Sequence, residues 1–355
     1  MQGKMKICAC CFNDEELKQF IISSSKERID CPYCNSNSES IDISELLDFF
    51  SDFFSVFSND DEGITLSELI QQDWNLFSDD INVQEVLVEI LQQLKINLKT
   101  TDRVSYPQEI TECIEHWDTL KKDLKWSRRF LANAERLIEL KWDTLFGIYS
   151  TIDSSNKLYR ARIHTDGRKK PIGKDELSCP SKEKSKGGRA NPQGIPYLYL
   201  CNDINTTFYE TRVSYLDIVS VGIFQLKEKE ELKIVDFTQW QSPFNAFSDD
   251  SVNMIDFVKG KLLRQRISKD LSKPMRRFDS EMEYLPTQFI CEFVRYIIGA
   301  TGIQFNSSLH KDGINIVLFE PENVQCVEEQ LYQINEIEIK SELILSASED
   351  VSFGA

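Results

Sequence analysis

From about Ile41 to Phe146, apolar residues recur every three to four positions: in SIDISELLDFFSDFFSVF, in TLSELIQQDWNLF after Gly63, in VQEVLVEILQQL, and along a stretch from Gln108 to Phe146. Positions three and four apart share a helix face, so this spacing predicts a run of amphipathic helices. Near Ile148 the texture changes. LYRARI, YLYLCN, IVSVGIFQL, LKIVDF and INIVLF are short β-rich runs set between helical ones, which predicts a mixed α/β domain from residue 148 onward. Between the first two of these strands, Thr165 to Pro196 is rich in Gly, Pro, Lys and Ser. A connection of about 30 residues exceeds ordinary loop lengths, so it is either disordered or functional, and part of it is expected to serve a site, as a lid or otherwise. Residues 331–355 are acidic, with weak alternation from Tyr332 to Leu345, and are expected to form a tail that frays at its end.

A chain of 355 residues suits two or three domains, and 41% hydrophobic with 11% aromatic residues is enough to build cores. The net charge of −17 opposes loose adhesion to nucleic acid or to an anionic membrane. The opening MQGKMKICACC lacks the apolar core of a signal peptide, and no run reaches the roughly 18 apolar residues of a membrane span, so a cytoplasmic protein is expected. Ten cysteines in that setting point to metal ligation or packing more than to disulfides. Cys8 with Cys11 and Cys31 with Cys34 form two C-x2-C knuckles separated by nineteen residues. Each knuckle puts two sulfurs on one tight turn, and the segment between them is expected to form the hairpin that brings four thiolates around a zinc ion. Cys10 is an alternative ligand, but the C-x2-C geometry favours Cys8 with Cys11. A redox dithiol and ordinary packing are the competing readings. Four cysteine ligands leave no open position, so the zinc would be structural, and so small a unit would fold largely on metal-binding energy.

Further along lie LYRARI (158–163), GRANPQGIPYLYL (188–200), TTFYETR (206–212), IQFNSS (303–308) and GINIVLF (313–319). In this order they are an arginine strand, a glycine-arginine-asparagine loop, a tyrosine strand, a glutamate helix and a serine strand. That order resembles the RES family over about 160 residues, and the combination is far more specific than any one run. The resemblance implies an α/β (α+β) domain similar to ADP-ribosyltransferase-type folds. It also implies an enzyme that breaks the nicotinamide to ribose bond of NAD⁺ and passes ADP-ribose to water, phosphate or a protein, in several members as the toxin of a toxin-antitoxin pair. The helices at 41–147 are similar to the HEPN-like helical domain that precedes RES domains. Ribonucleases of that helical fold carry R-x4-H, but Thr111 stands five positions before His116, so nuclease activity is not supported. The architecture expected is therefore a zinc ribbon (1–40), an all-α helical domain (41–147), a RES catalytic domain (148–330) and an acidic tail (331–355).

Cleavage of a glycosidic bond passes through an oxocarbenium-like cation, which a nearby carboxylate stabilises. Glu210 is the candidate. Asp203 is placed to cap its helix, and at about 100° per residue Asp203, Thr206, Thr207, Glu210 and Ser214 share a polar stripe, with Ile204, Phe208 and Tyr215 on an apolar one. By periodicity alone this stripe is a solvated face; the resemblance makes Glu210 ribose-facing and catalytic. Arg160 and Arg189 match family positions for holding the pyrophosphate, a task suited to a permanently charged, bidentate guanidinium; Arg162 is a weaker candidate. Gly187 and Gly188 would let backbone approach the ligand closely. Tyr199 matches a tyrosine that stacks on nicotinamide or donates a hydrogen bond. Ser307, ahead of Ser308, is expected to hydrogen-bond the ligand, since His164 and His310 have no matched acid that would make it a nucleophile. Asn191 and Asn315 complete the binding set. Ala190 departs from the family, which carries tryptophan-like bulk there. With no Rossmann fingerprint, NAD⁺ is expected as substrate and not as a recycled redox cofactor. ADP-ribosyl transfer and a non-catalytic nucleotide-binding role are the alternatives. The ribbon and helices are expected to sense signals or to control the catalytic domain through assembly, with a homo-oligomer formed through the helices (the phenylalanines at 49–57 being core or dimer interface) and with an antitoxin or regulatory protein as partner.

Overall fold

The computed structural model describes residues 5–130, 134–227, 231–274 and 281–343. At the N-terminus β1 (Lys6–Cys8), helix α1 (Glu15–Ser24), β2 (Glu27–Asp30) and β3 (Asn37–Asp42) form an antiparallel sheet ordered β1-β3-β2. The segment between the knuckles holds α1 in place of the expected simple hairpin. Leu17 and Ile21 give it one buried face, and the Asp14 carboxylate caps it by accepting from Leu17 N at 2.9 Å. The hairpin runs instead through the second knuckle, between β2 and β3.

The helical runs form α2 (Leu47–Phe54), α3 (Leu66–Trp74), α4 (Val83–Leu94) and α5 (Gln108–Trp126), followed by α6 (Ala134–Glu139) and α7 (Trp142–Leu145). The region is not all-α. Strands β4 (Ser58–Thr65) and β5 (Arg103–Ser105) pair antiparallel across it. Their approach depends on Gly63, where a Cβ would lie 2.2 Å from the carbonyl oxygen of Val104. Phe49, Phe50, Phe53 and Phe54 are buried against Trp74, Phe77, Phe244 and Phe247 of the same chain, so these rings are core and not a free dimer surface.

The remainder builds one eight-stranded sheet from β6 (Tyr149–Ile152), β7 (Leu158–Ile163), β8 (Leu198–Cys201), β9 (Ile218–Leu226), β10 (Leu232–Asp236), β11 (Gly302–Asn306), β12 (Ile314–Leu318) and β13 (Val324–Gln333), ordered β13-β9-β7-β8-β12-β11-β10-β6. Short helices α8 (Lys174–Leu177) and α9 (Ile204–Thr211) flank β8, and α10 (Pro243–Ser248), α11 (Met254–Ser272) and α12 (Leu285–Phe293) lie between β10 and β11. Only β10 and β11 run parallel among these neighbours, and a parallel pair needs a long crossover, which α10 to α12 supply. Alternation splits the strands between two cores. Val235, Ile303 and Val317 face α5, α7, α11 and α12, whereas Ile234, Ile316 and Leu318 face Phe224 and Leu177 on the other side.

The cores interlock across residue 147 and do not part there. Ile110 and Ile114 of α5 belong to the N-terminal core, together with Phe244, Met254, Val258 and Leu262 from the crossover. Trp117, Leu120, Leu124, Trp142 and Phe146 belong to the sheet's core. Two further expectations change. The 165–196 connection is packed: Leu177 is fully buried, Ser185, Ala190 and Asn191 are buried, and the Ile172 and Gly173 amides donate to the Glu329 carboxylate at 2.8 and 3.0 Å. The expected tail begins as strand, with Leu331, Tyr332 and Gln333 paired to Ser220, Val219 and Ile218. Residues 344–355 lie outside the described residues.

Candidate active site

The ladder between β7 and β8 has a single registered pair, Tyr159 with Cys201. There the sheet parts around a cavity of about 440 Å³. Tyr159, Arg160 and Ala161 line it from β7, Tyr199, Leu200 and Cys201 from β8, Glu210 and Thr211 from α9, and Asn315 from β12, with Arg189 from the packed connection. Asp203 caps α9 as expected, accepting from Thr206 N at 3.0 Å. The helix ends when Arg212 turns left-handed (φ 54°), so Ser214 lies beyond it, and Thr206 and Thr207 are buried instead of solvated.

Glu210 Oε1 accepts two hydrogen bonds, from Ser307 Oγ and from Asn315 Nδ2, each at 2.7 Å. Both donors are aimed by their own partners. Ser307 Oγ accepts from the Leu309 and His310 amides at 3.1 Å each, which directs its one proton to Glu210. Asn315 Oδ1 accepts from the Cys201 thiol at 3.5 Å, which turns the amide nitrogen toward the carboxylate. Ser307 thus touches Glu210, and of the two adjacent serines it is Ser308 that lines the cavity wall. The His310 ring is engaged elsewhere, bonded to Thr206 Oγ1 at 2.8 Å and stacked on Tyr209 at 4.8 Å, and so is no base for Ser307.

Arg160 donates to the Ser178 carbonyl at 3.2 Å; burial, then repulsion from Arg162, pushes its pKa down to about 10, which leaves it cationic at neutral pH. Arg189 donates to the Leu271 carbonyl, and burial lowers its pKa against the opposing pull of Glu210. Among the described residues neither guanidinium has a carboxylate in an ion pair. Arg162 does, at 3.6 Å from Glu176, and is not on the cavity wall. The Tyr199 hydroxyl is spent internally: it donates to Asn191 Oδ1 at 2.8 Å and accepts from Ala190 N at 2.9 Å, and burial pushes the phenol well up. Tyr199 lines the cavity with its hydroxyl already engaged. Asn191 is buried behind the wall, its amide donating to the carbonyls of Lys186, Pro192 and Ile195 at 3.0 to 3.1 Å. Gly188 serves that same bond, because a Cβ there would stand 2.8 Å from both Asn191 Oδ1 and the Tyr199 hydroxyl. Ala190 is fully buried in the sheet's core.

The family model for the RES domain matches residues 157–338, slightly more than half of the chain. The chain belongs to the RES domain family. That family is associated with NAD-related toxin activity. No curated protein and no solved structure matches the chain. The match places all of the cavity-lining residues named above within the RES domain. Those not foreseen from the sequence include Ser272, Tyr284, Asn306 and Leu309. Ser272 and Tyr284 come from the crossover and carry no local signal. Thr211 does carry one, since it stands one helical turn after Thr207 on the face of α9 that holds Glu210.

Outside the RES domain, the sulfurs of Cys8, Cys11, Cys31 and Cys34 all lie within 4.8 Å of one another, while Cys10 is exposed. Neighbouring pairs stand 3.3, 3.5 and 3.7 Å apart. Zn–S bonds of about 2.3 Å arranged tetrahedrally put sulfurs about 3.8 Å apart, so the donor set fits that ion. Hydrogen bonding to Cys31, then to Cys8, and burial push the Cys11 thiol strongly up.

Proposed function

We propose that the chain cleaves the nicotinamide to ribose bond of NAD⁺ and acts as an NAD⁺-depleting toxin that arrests growth. The observation that carries this reading is a carboxylate, Glu210, held by two aimed donors in a cavity it shares with two half-buried guanidiniums that lack ion-pair partners among the described residues. Arg160 and Arg189 would hold the pyrophosphate, whose charge they are placed to complement. The Tyr199 ring would pack against the base or ribose. As the glycosidic bond breaks, its electron pair leaves with nicotinamide and positive charge grows on the ribose. The Glu210 carboxylate stabilises that charge, and its fixed orientation means no reorganisation is needed at that moment. Ser307 and Asn315 act through Glu210, as positioning residues. Water or phosphate then takes the ribosyl cation; transfer to a protein is the alternative acceptor. Zinc at Cys8, Cys11, Cys31 and Cys34 would supply structural cross-linking of the N-terminal sheet.

The test is to incubate purified protein with NAD⁺, with and without phosphate, and to follow free nicotinamide beside a Glu210→Gln control. Release that depends on Glu210 is expected, with phosphate dependence naming the acceptor. Absence of any Glu210-dependent release in both buffers would refute the reading.

A further inference from the structure

Arg189 lies in the loop Gly188–Asn191, whose backbone carbonyls must find donors once the loop packs into the sheet's core. The donors come from α12. Gln288 Nε2 donates to the Gly188 carbonyl at 2.7 Å and to the Asn191 carbonyl at 3.1 Å. Its neighbour Thr287, 3% exposed, donates from Oγ1 to the Arg189 carbonyl at 2.6 Å, sharing that proton with Tyr284 O at 3.0 Å. A bond from Gly188 N to Asn191 O at 2.9 Å closes the turn. Two adjacent side chains on the first turn of α12 therefore hold three carbonyls of this four-residue loop. Among the described residues the Arg189 side chain itself has one hydrogen bond, to Leu271 O.

We infer that Thr287 and Gln288 are positioning residues for Arg189, fixing the backbone from which its guanidinium reaches the anionic part of the ligand. This rests on the proposed role of Arg189. An arginine side chain already loses rotamer freedom when it grips an anion, and a backbone free to shift would add to what must be ordered on binding. Neither residue belongs to the arginine, tyrosine, glutamate and serine runs; they lie nearly 100 positions further along the chain than the loop they hold.

The experiment is calorimetric titration of the full chain with ADP-ribose, which keeps the pyrophosphate and lacks nicotinamide. It compares Arg189→Ala, Gln288→Ala, Thr287→Val, Thr287→Ser and the Arg189→Ala/Gln288→Ala double variant. Hydrogen bonds of this kind are worth about 1 kcal/mol each, so Gln288→Ala and Thr287→Val are expected to weaken binding about fivefold to tenfold, while Thr287→Ser, which keeps the hydroxyl, stays near wild type. With NAD⁺ the loss should appear in KM, with kcat little changed, because Glu210 is held from other elements. The discriminating result is the double variant: if Gln288 acts through Arg189, it binds no more weakly than Arg189→Ala alone. Gln288→Met, of similar length and without a donor, replaces the alanine variant should that one not fold. The inference is overturned if Arg189→Ala weakens binding while Gln288→Ala and Thr287→Val do not, or if the Gln288 effect persists in full without Arg189. If Arg189→Ala itself leaves binding unchanged, the role given to Arg189 fails first.

Discussion

Removing the donors on Glu210 tests how much its orientation matters. Ser307→Ala and Asn315→Ala each take one 2.7 Å bond from the same oxygen. A hydrogen bond to a charged group is worth about 1.5–3 kcal/mol, and each 1.36 kcal/mol is tenfold in rate, so a bond fully expressed in the transition state is worth about 10- to 150-fold in kcat. The two variants should differ in stability. Ser307→Ala also strips the acceptor from the Leu309 and His310 amides, a further cost of about 1–3 kcal/mol to the fold, whereas among the described residues the Asn315 side chain has only Glu210 and the Cys201 thiol as partners. Because both donors serve one oxygen, the double variant should fall short of the sum of the singles. The assay is nicotinamide release under saturating NAD⁺, paired with thermal unfolding of each variant. If both single variants keep kcat within about twofold of wild type with unchanged melting, the argument that Glu210 works through a fixed orientation is wrong, since a tenfold effect is its minimum.

Trp117→Ala removes a fully buried ring whose Nε1 donates to Asp270 at 2.7 Å; a loss of about 3–5 kcal/mol in urea unfolding is expected, and a loss under about 1 would remove α5 from the sheet's core. Zinc content of the purified chain, measured by metal analysis, should drop on Cys31→Ser, and proteolysis should then enter the N-terminal sheet; a chain purified without metal yet resistant there would defeat the zinc proposal. Lys261, 4% exposed, donates to the Asp73 carbonyl at 2.8 Å beneath the Trp74 ring, and burial pushes its pKa down to about 7. Its folded pKa lies below the unfolded one, so between about pH 7 and 10 the unfolded chain binds more protons and stability rises with pH, by at most about 1.4 kcal/mol per unit from this group. Lys261→Met should therefore stabilise most at or below pH 7 and progressively less toward pH 10; a gain independent of pH would show that the amine stays charged in the fold.

Helix positions were legible because periodicity reports burial directly, as in α2 and α4, and the interior strand β9 was legible because both its faces are covered and its run is largely apolar. The end of β13, residues 331–333, was read as tail for the opposite reason. It is an edge with one side in solvent, and a register shift between Cys326 and Glu328 breaks its alternation. In the site, Glu210, Arg160, Arg189, Tyr199 and Asn315 come together in one cavity. What a linear pattern could not convey is who serves whom. Ser307 and Asn191 carry the right residue types for touching a ligand, yet their polar atoms are consumed by Glu210 in one case and by a loop and Tyr199 in the other. Such assignments depend on partners a hundred residues away.

Residues from both sides of position 147 share the same cores, and this bears on what the N-terminal region does. Helix α11 begins among Phe20, Phe49 and Trp74, through Met254, Val258 and Leu262, and ends beside the cavity, where its Leu271 carbonyl holds Arg189 and Ser272 donates to Asn306 O at 2.7 Å. Helix α5 makes the same passage in the other core pairing, from Ile110 to Leu124. Cutting at 147 would take Trp117, Leu120, Leu124, Trp142 and Phe146 out of the sheet's core and leave Val258 and Leu262 facing water. Large core side chains are worth about 2–5 kcal/mol each, while whole domains are stable by about 5–15, so the remaining fragment is expected not to fold. Loss of NAD⁺ cleavage on such a deletion would then report missing core and say nothing of regulation. A sensing role for the four-cysteine site has to be sought with the chain intact, by perturbing the metal and reading the active site through α11.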